Sequence, residues 1–242
     1  MNFLFVCAVG LAAGTISGIV GTGSSIMLMP VLVYEFGPKE AVPIMAVAAV
    51  MANLSRVLAW WREVDWRACA AYTVTGIPAA ALGARTLLVL PSSTIDISIW
   101  LFLMAMVPAR HWLARHELKI SLWHLAVGGA VIGYLTGVVV STGPLSVPLF
   151  LFYGLTKGAF LATEAASSLA IFLSKSATFQ RFGALDAEVA LKGLIAGASL
   201  MAGAFIAKRF VLKMDPDIFR RIMDGIMIAA GLSMLWNAVY AH

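Results

Sequence analysis

Residues 14–30 read Gly-Thr-Ile-Ser-Gly-Ile-Val-Gly-Thr-Gly-Ser-Ser-Ile-Met-Leu-Met-Pro, an apolar run cut in its middle by Gly21-Thr22-Gly23-Ser24-Ser25. The run sits inside an apolar block from about 3 to 34, longer than one bilayer span needs. Gly costs about 1 kcal/mol in a helix interior and Pro about 3, while Ser and Thr hydroxyls can satisfy the backbone groups a break sets free. A helix is therefore predicted to break at 21–25, either as a kink in one long span or as a hairpin whose tip lies deep in the membrane. The same pattern returns from Gly133 to Pro148, where Ser141-Thr142-Gly143-Pro144-Leu145-Ser146 interrupts a block from about 122 to 153.

Working outward from these two breaks, the correspondence holds at separations of about 120 residues. Gly14 and Gly18 align with Gly133 and Gly137, Pro30 with Pro148, Lys39 with Lys157, and Ser55-Arg56 with Ser174-Lys175. Asp65 then meets Asp186, Gly76 meets Gly197, and Gly83-Ala84 meets Gly203-Ala204. Order kept over that distance marks an internal duplication, a common architecture among secondary transporters. Apolar blocks at about 3–34, 41–61, 68–90, 95–109, 122–153, 158–179, 189–207 and 217–240 fall four to each half. The expected organisation is a transmembrane repeat over 1–109, a polar linker over 110–120 and a second repeat over 121–242.

Composition sets the class. Of 242 residues, 61% are hydrophobic and 12% charged, about half the charged share of a soluble domain. Ala41–Trp61, Ala68–Leu90 and Ile218–Tyr240 each read as a membrane-crossing helix. The first block lacks the basic start and small-residue cleavage site of a removable signal, so it is expected to stay in the fold. A net charge of +5 does not point to nucleic acid, because the basic residues lie in short loops between apolar stretches. Cys7 and Cys69 are isolated in apolar segments and read as packing residues; no metal site or cofactor is expected.

Charge bias chooses between kink and hairpin. If each broken block makes two passes, Arg62, Arg67, Arg110, Arg115, Lys119, Lys157, Lys208, Arg209, Lys213, Arg220 and Arg221 share one side, against Lys39, Arg85, Arg181 and Lys192 on the other. With one pass per block the bias vanishes. The positive-inside rule thus favours hairpins, a cytoplasmic linker and both termini outside. Each half then crosses an odd number of times. The expected fold is an all-α polytopic membrane protein of two inverted repeats, with about ten spans or half-spans.

Inverted hairpins would enter from opposite faces and meet near the midplane, where helix N-termini and unpaired N–H groups suit an anion. Candidate binding residues are Gly21, Thr22, Gly23, Ser24, Ser25, Ser141, Thr142, Gly143 and Pro144 at the tips, with Asn53 nearby. Arg56 and Lys175, at equivalent positions near helix ends, either form a basic pair for the anion or snorkel to the interface. Glu164, about seven residues into its helix opposite Ala46, is the candidate proton-coupling carboxylate. Desolvation favours its neutral form and a basic partner its charged form, although Lys175 lies about 16 Å along the helix. Trp60, Trp61 and Trp66 read as an interfacial belt.

The spaced glycines, Gly-rich break and following proline of 14–30, repeated over 133–148, resemble the sulfite exporter family of TauE/SafE type over essentially the whole chain. That resemblance implies a secondary transporter of the bacterial inner (plasma) membrane exporting sulfite, sulfonates or related small organic anions. Ser24 and Ser25 stand where the family often carries consecutive glycines, and the second break carries Pro144; both departures fall on the supposed site. An enzyme is not expected, since His111, His116 and His124 cluster at the linker and His242 is terminal. A passive anion channel of the same architecture is the alternative to alternating access. Protons as coupling ion and a second copy of the chain as homodimer partner complete the partners considered.

Overall fold

The computed structural model describes residues 3–20, 24–91, 119–139, 142–155 and 157–210, with isolated positions between 94 and 105. The tip residues Gly21, Thr22, Gly23 and Ser141, most of the linker from Arg110, and the expected span Ile218–Tyr240 lie outside the described residues. Seven α-helices carry the described chain. They are α1 (Phe3–Val20), α2 (Ser24–Trp60), α3 (Trp66–Val89), α4 (Leu122–Val138), α5 (Gly143–Phe152), α6 (Lys157–Arg181) and α7 (Ala187–Phe210). A single 3-10 turn, Trp61–Glu63, joins α2 to α3.

Helix starts follow local chemistry. Asp65 caps α3, its carboxylate accepting from the N–H groups of Arg67 and Ala68. Asp186, aligned with it in the sequence reading, accepts from the Val189 N–H at the start of α7. α2 is two helices in one, because Gly37 has φ 75° and ψ 161°, which only glycine holds without strain. Its arms are 24–36 (α2a) and 38–60 (α2b). Gly154, with φ 102°, plays the same part between α5 and α6.

Packing contacts fix the direction of each helix. Gly10 lies against Ala196 and Ser199, Gly14 against Leu200, and Thr15 against Gly203, so α1 and α7 run parallel. Gly193 meets Ile44 and Val47 while Gly197 meets Ala48 and Met51, so α2b also runs parallel to α7. By the same reading α3 parallels α4, since Gly129, Gly133 and Gly137 follow Tyr72, Gly76 and Ala80 turn for turn. Gly76 meets Ile171 and the Ile77 carbonyl accepts from Ser174, which adds α6 to that set. Arg56 beside Glu164 and Glu63 beside Gly158 make α2b and α6 antiparallel.

Two consequences follow. With α1 and α2b parallel, the described arm α2a leads back between them as a return arm. With α4 and α6 parallel, α5 is likewise a return arm. Thirteen residues of α2a give about 20 Å and ten of α5 about 15 Å, both short of the roughly 30 Å hydrocarbon core. Each return arm packs between long helices. Leu28, Met29 and Leu32 of α2a join Val6 and Ala13 of α1 and Ala196 and Leu200 of α7 in one core. In a second core, Phe150 of α5 packs with Tyr72 of α3, Leu125 and Ile132 of α4 and Ile171 of α6.

One expectation needs correction. By length and composition, Lys39–Glu63 and Ala187–Ile206 are the two described helices apolar enough to cross a membrane unaided. The segment Ala68–Leu90 is long enough, at 24 helical residues, but more polar than expected, because Thr73, Thr75, Arg85 and Thr86 lie on it. Those groups are turned to use: Thr73 donates back to the Cys69 carbonyl and Thr75 across to the Ala126 carbonyl of α4. The outward face of α3 stays apolar, with Val74, Leu82 and Val89 exposed as a lipid-facing stripe would be.

Candidate functional site

The two return arms begin at one place. Ser24 and Ser25 open α2a, Thr142 and Gly143 open α5, and all four line a buried cavity of about 30 Å³ between the halves of the chain. That is room for one or two waters. α2b contributes Ala49, Ala52, Asn53 and Arg56; α3 contributes Tyr72; Thr136 comes from the end of α4 and Ser146 from α5. Glu164, Ser168, Ile171 and Phe172 of α6 complete the wall.

An ion pair spans the cavity. Arg56 Nη1 donates to Glu164 Oε2 at 3.3 Å, and Arg56 Nη2 donates to Asn53 Oδ1. Asn53 is held by its own amide, which donates to the Ala49 carbonyl one turn back at 2.8 Å. The other carboxylate oxygen, Glu164 Oε1, accepts from Ser168 at 2.8 Å and from Ser146 at 3.2 Å. Ser146 lies in the first turn of α5, so the buried charge also rests against the positive end of that helix dipole. Thr142 and Thr136 hydroxyls bond each other across the second break. The cavity is therefore rich in donors, with a guanidinium at one side and an apolar wall of Ile171 and Phe172 at the other.

The tip, Asn53 and Glu164 positions named from sequence converge here wherever they are described: Ser24, Ser25, Asn53, Arg56, Thr142, Gly143 and Glu164 all line the cavity. Pro144 lies in the first turn of α5. Lys175 stands elsewhere. It is fully buried and does not snorkel; its Nζ donates to the Thr136 and Val139 carbonyls, both at 2.6 Å, and lies 5.6 Å from the Phe179 ring centre. Those carbonyls are orphans of the α4 terminus, so the ammonium caps the helix that leads into the second tip. The expected symmetry of Arg56 and Lys175 is thus one of position and not of surroundings. Glu164, for which Lys175 is a loose partner at three turns along the helix, is paired with Arg56.

The sequence reading does not single out Ala49, Ala52, Tyr72, Thr136, Ser168, Ile171 or Phe172. Ser168 was within reach, being one turn after Glu164 on the same helix face. Tyr72 is 2% exposed and packs against Phe150, the rings tilted by 46° with centres 5.1 Å apart.

Comparison with known proteins agrees with the membrane reading. The family model for sulfite exporter TauE/SafE matches residues 6–234. A probable membrane transporter protein of Sinorhizobium fredii is 28% identical over 189 residues, covering 72% of this chain and 73% of its own. A probable sulfite/organosulfonate exporter TauE of Cupriavidus necator is 26% identical over 220 residues, covering 82% of each chain. The probable membrane transporter protein YjnA of Bacillus subtilis is 23% identical over 258 residues, covering 95% of this chain and 98% of its own. No solved structure matches.

Proposed function

Since the chain belongs to the TauE/SafE sulfite exporter family of membrane transporters, we propose that it carries one small anion at a time through the cavity at the two arm starts, by alternating access. The anion is sulfite, a sulfonate or a related short organic anion, and export from the cytoplasm across the inner membrane is the direction proposed. The observation that carries this reading is the convergence of two helix N-termini, Asn53 and Arg56 on one buried, hydroxyl-lined space. Arg56 and Asn53 take the oxyanion head, helped by Ser24, Ser25, Thr142, Gly143 and Pro144, and by Gly21, Thr22, Gly23 and Ser141 at the tips. Lys175 supports the second tip from behind.

Helix directions support an inverted pair of repeats. α1, α2b and α7 run one way and α3, α4 and α6 the other, so each helix opposes its counterpart in the alignment, α1 to α4, α2b to α6 and α3 to α7. Two conformations related by that inversion are what alternating access requires. With the charge bias, the arrangement supports a cytoplasmic midpoint linker and outside termini. Tag-accessibility labelling is expected to report the linker only after the membrane is opened; a linker labelled from outside overturns the topology.

Counterflow in proteoliposomes tests the transport reading, with sulfite, methanesulfonate, sulfoacetate and short carboxylates as probes. A carrier gives saturable flux stimulated by anion on the far side; flux that never saturates and follows voltage marks a channel. The Tyr72 hydroxyl is a natural donor to the bound head group. Tyr72→Phe is expected to weaken half-saturation by about five- to tenfold, the worth of one buried hydrogen bond, without changing protein yield.

A further inference from the structure

The cavity already contains an anion of its own, and its chemistry constrains how another can enter. Arg56 and Glu164 are the two lining residues with a formal charge among the described ones. Among the described lining residues the two charges balance. Glu164 occupies the guanidinium face that an incoming oxyanion needs, and it lies against the hydroxyls of Ser146 and Ser168 that would serve the same oxyanion. A second negative charge beside it, in a buried space of about 30 Å³, meets strong repulsion at low dielectric.

We propose that Glu164 is an internal stand-in for the transported anion, displaced from Arg56 as it takes up one proton, so that anion and proton occupy the cavity together. This rests on the reading of the cavity as the anion site. The proton comes from water on the open side and binds a Glu164 carboxylate oxygen; the Arg56 Nη1 donor passes from the carboxylate to the anion. Release on the far side reverses both steps, and Glu164 returns to Arg56. For a monovalent anion these charges balance again in the loaded cavity, so the cycle moves no net charge. The anion and proton gradients then set the direction, and outward flow follows cytoplasmic accumulation of the anion.

The groups facing Glu164 support the assignment. From α2b comes Arg56, from α3 Tyr72 at the cavity and Cys69 beside Ala162 and Ala166, and from α5 the neutral Ser146. α4 offers Thr136. Glu63 and Asp65 lie nearer the start of α6, against Gly158 and Thr163, and Lys175 is three turns along with its bonds spent on α4 carbonyls. No described carboxylate other than Glu164 lines the cavity.

The test is calorimetric titration of the purified full chain in nanodiscs with sulfite and with methanesulfonate, in buffers of different ionisation heat. A blank titration removes the protons sulfite itself exchanges; methanesulfonate stays ionised throughout. Binding is expected to take up about one proton per anion, and affinity to fall about tenfold per unit of rising pH once Glu164 is charged in the empty protein. Glu164→Gln is expected to bind at high pH as tightly as the wild type does at low pH, with no proton uptake. Wild-type binding that consumes no proton and ignores pH overturns the proposal while leaving the anion site standing. Proton uptake that persists in Glu164→Gln also overturns it, assigning the proton elsewhere. If neither probe binds the wild type at any pH, the anion-site reading fails and this inference with it.

Discussion

Arg56→Ala is expected to abolish anion counterflow, lowering the flux by about 100-fold or more. Two losses add. The guanidinium gives charged hydrogen bonds to an oxyanion, each worth about 1.5–3 kcal/mol in a buried site. Its removal also leaves the Glu164 carboxylate, 2% exposed, without its cation, and a lone buried carboxylate repels any incoming anion. Breaking a buried pair by deleting one partner costs about 3–5 kcal/mol, so Arg56→Ala is also expected to lower stability. The double variant Arg56→Ala with Glu164→Gln separates these effects. It removes the orphan charge and is expected to recover thermal stability, yet not transport, because no guanidinium is left for the anion. Arg56→Lys keeps the charge but not the fork that reaches Glu164 and Asn53 together, and is expected to fall between. Full flux in Arg56→Ala with wild-type half-saturation removes Arg56 from the site.

Which parts of this site can be read from sequence depends on whether a residue's role is set locally or across the fold. Breaks at 21–25 and 141–146 are local: glycine, proline and hydroxyl residues end a helix whatever surrounds them. The hairpin reading rests on loop charges, because the side on which Arg62 or Arg110 falls depends on the number of passes before it. Pairing across the fold is another matter. Aligning the repeats equates Arg56 with Lys175 but also Glu164 with Ala46, so one base meets a carboxylate and the other meets carbonyls at the end of α4. Tyr72 is hidden for the same reason. At the separation that aligns Gly76 with Gly197 it falls opposite Gly193, and nothing in a pattern of apolar residues marks one tyrosine as cavity-facing. A repeat read from sequence shows which positions correspond and hides how their surroundings differ.

Gly133→Ala and Gly128→Ala are expected to part company sharply, although both add one methyl to α4 and both gain about 1 kcal/mol of helix propensity. At Gly128 a Cβ meets only the side chain of Leu149, nearest at 2.4 Å, and a leucine can change rotamer. At Gly133 it meets backbone: the Gly76 carbonyl oxygen at 2.5 Å and the Gly76 Cα at 2.8 Å. No rotamer relieves that, so α3 and α4 must move apart, undoing the close approach that small residues permit in a membrane, where packing and not water drives helices together. Overpacking of this kind costs about 1–3 kcal/mol at one site, and the displaced seam also holds the Thr75 bond to Ala126. Apparent melting in detergent is thus expected to drop by several degrees for Gly133→Ala and to hold or rise for Gly128→Ala. The functional effect follows from the same geometry. Thr136 lies one turn after Gly133 and lines the cavity, and the Lys175 ammonium bonds its carbonyl. Shifting α4 moves that wall, so surviving Gly133→Ala protein is expected to lose affinity for the anion as well. Equal melting of the two variants means the seam is loose, and then the rigid frame around the arm starts cannot be what positions the site.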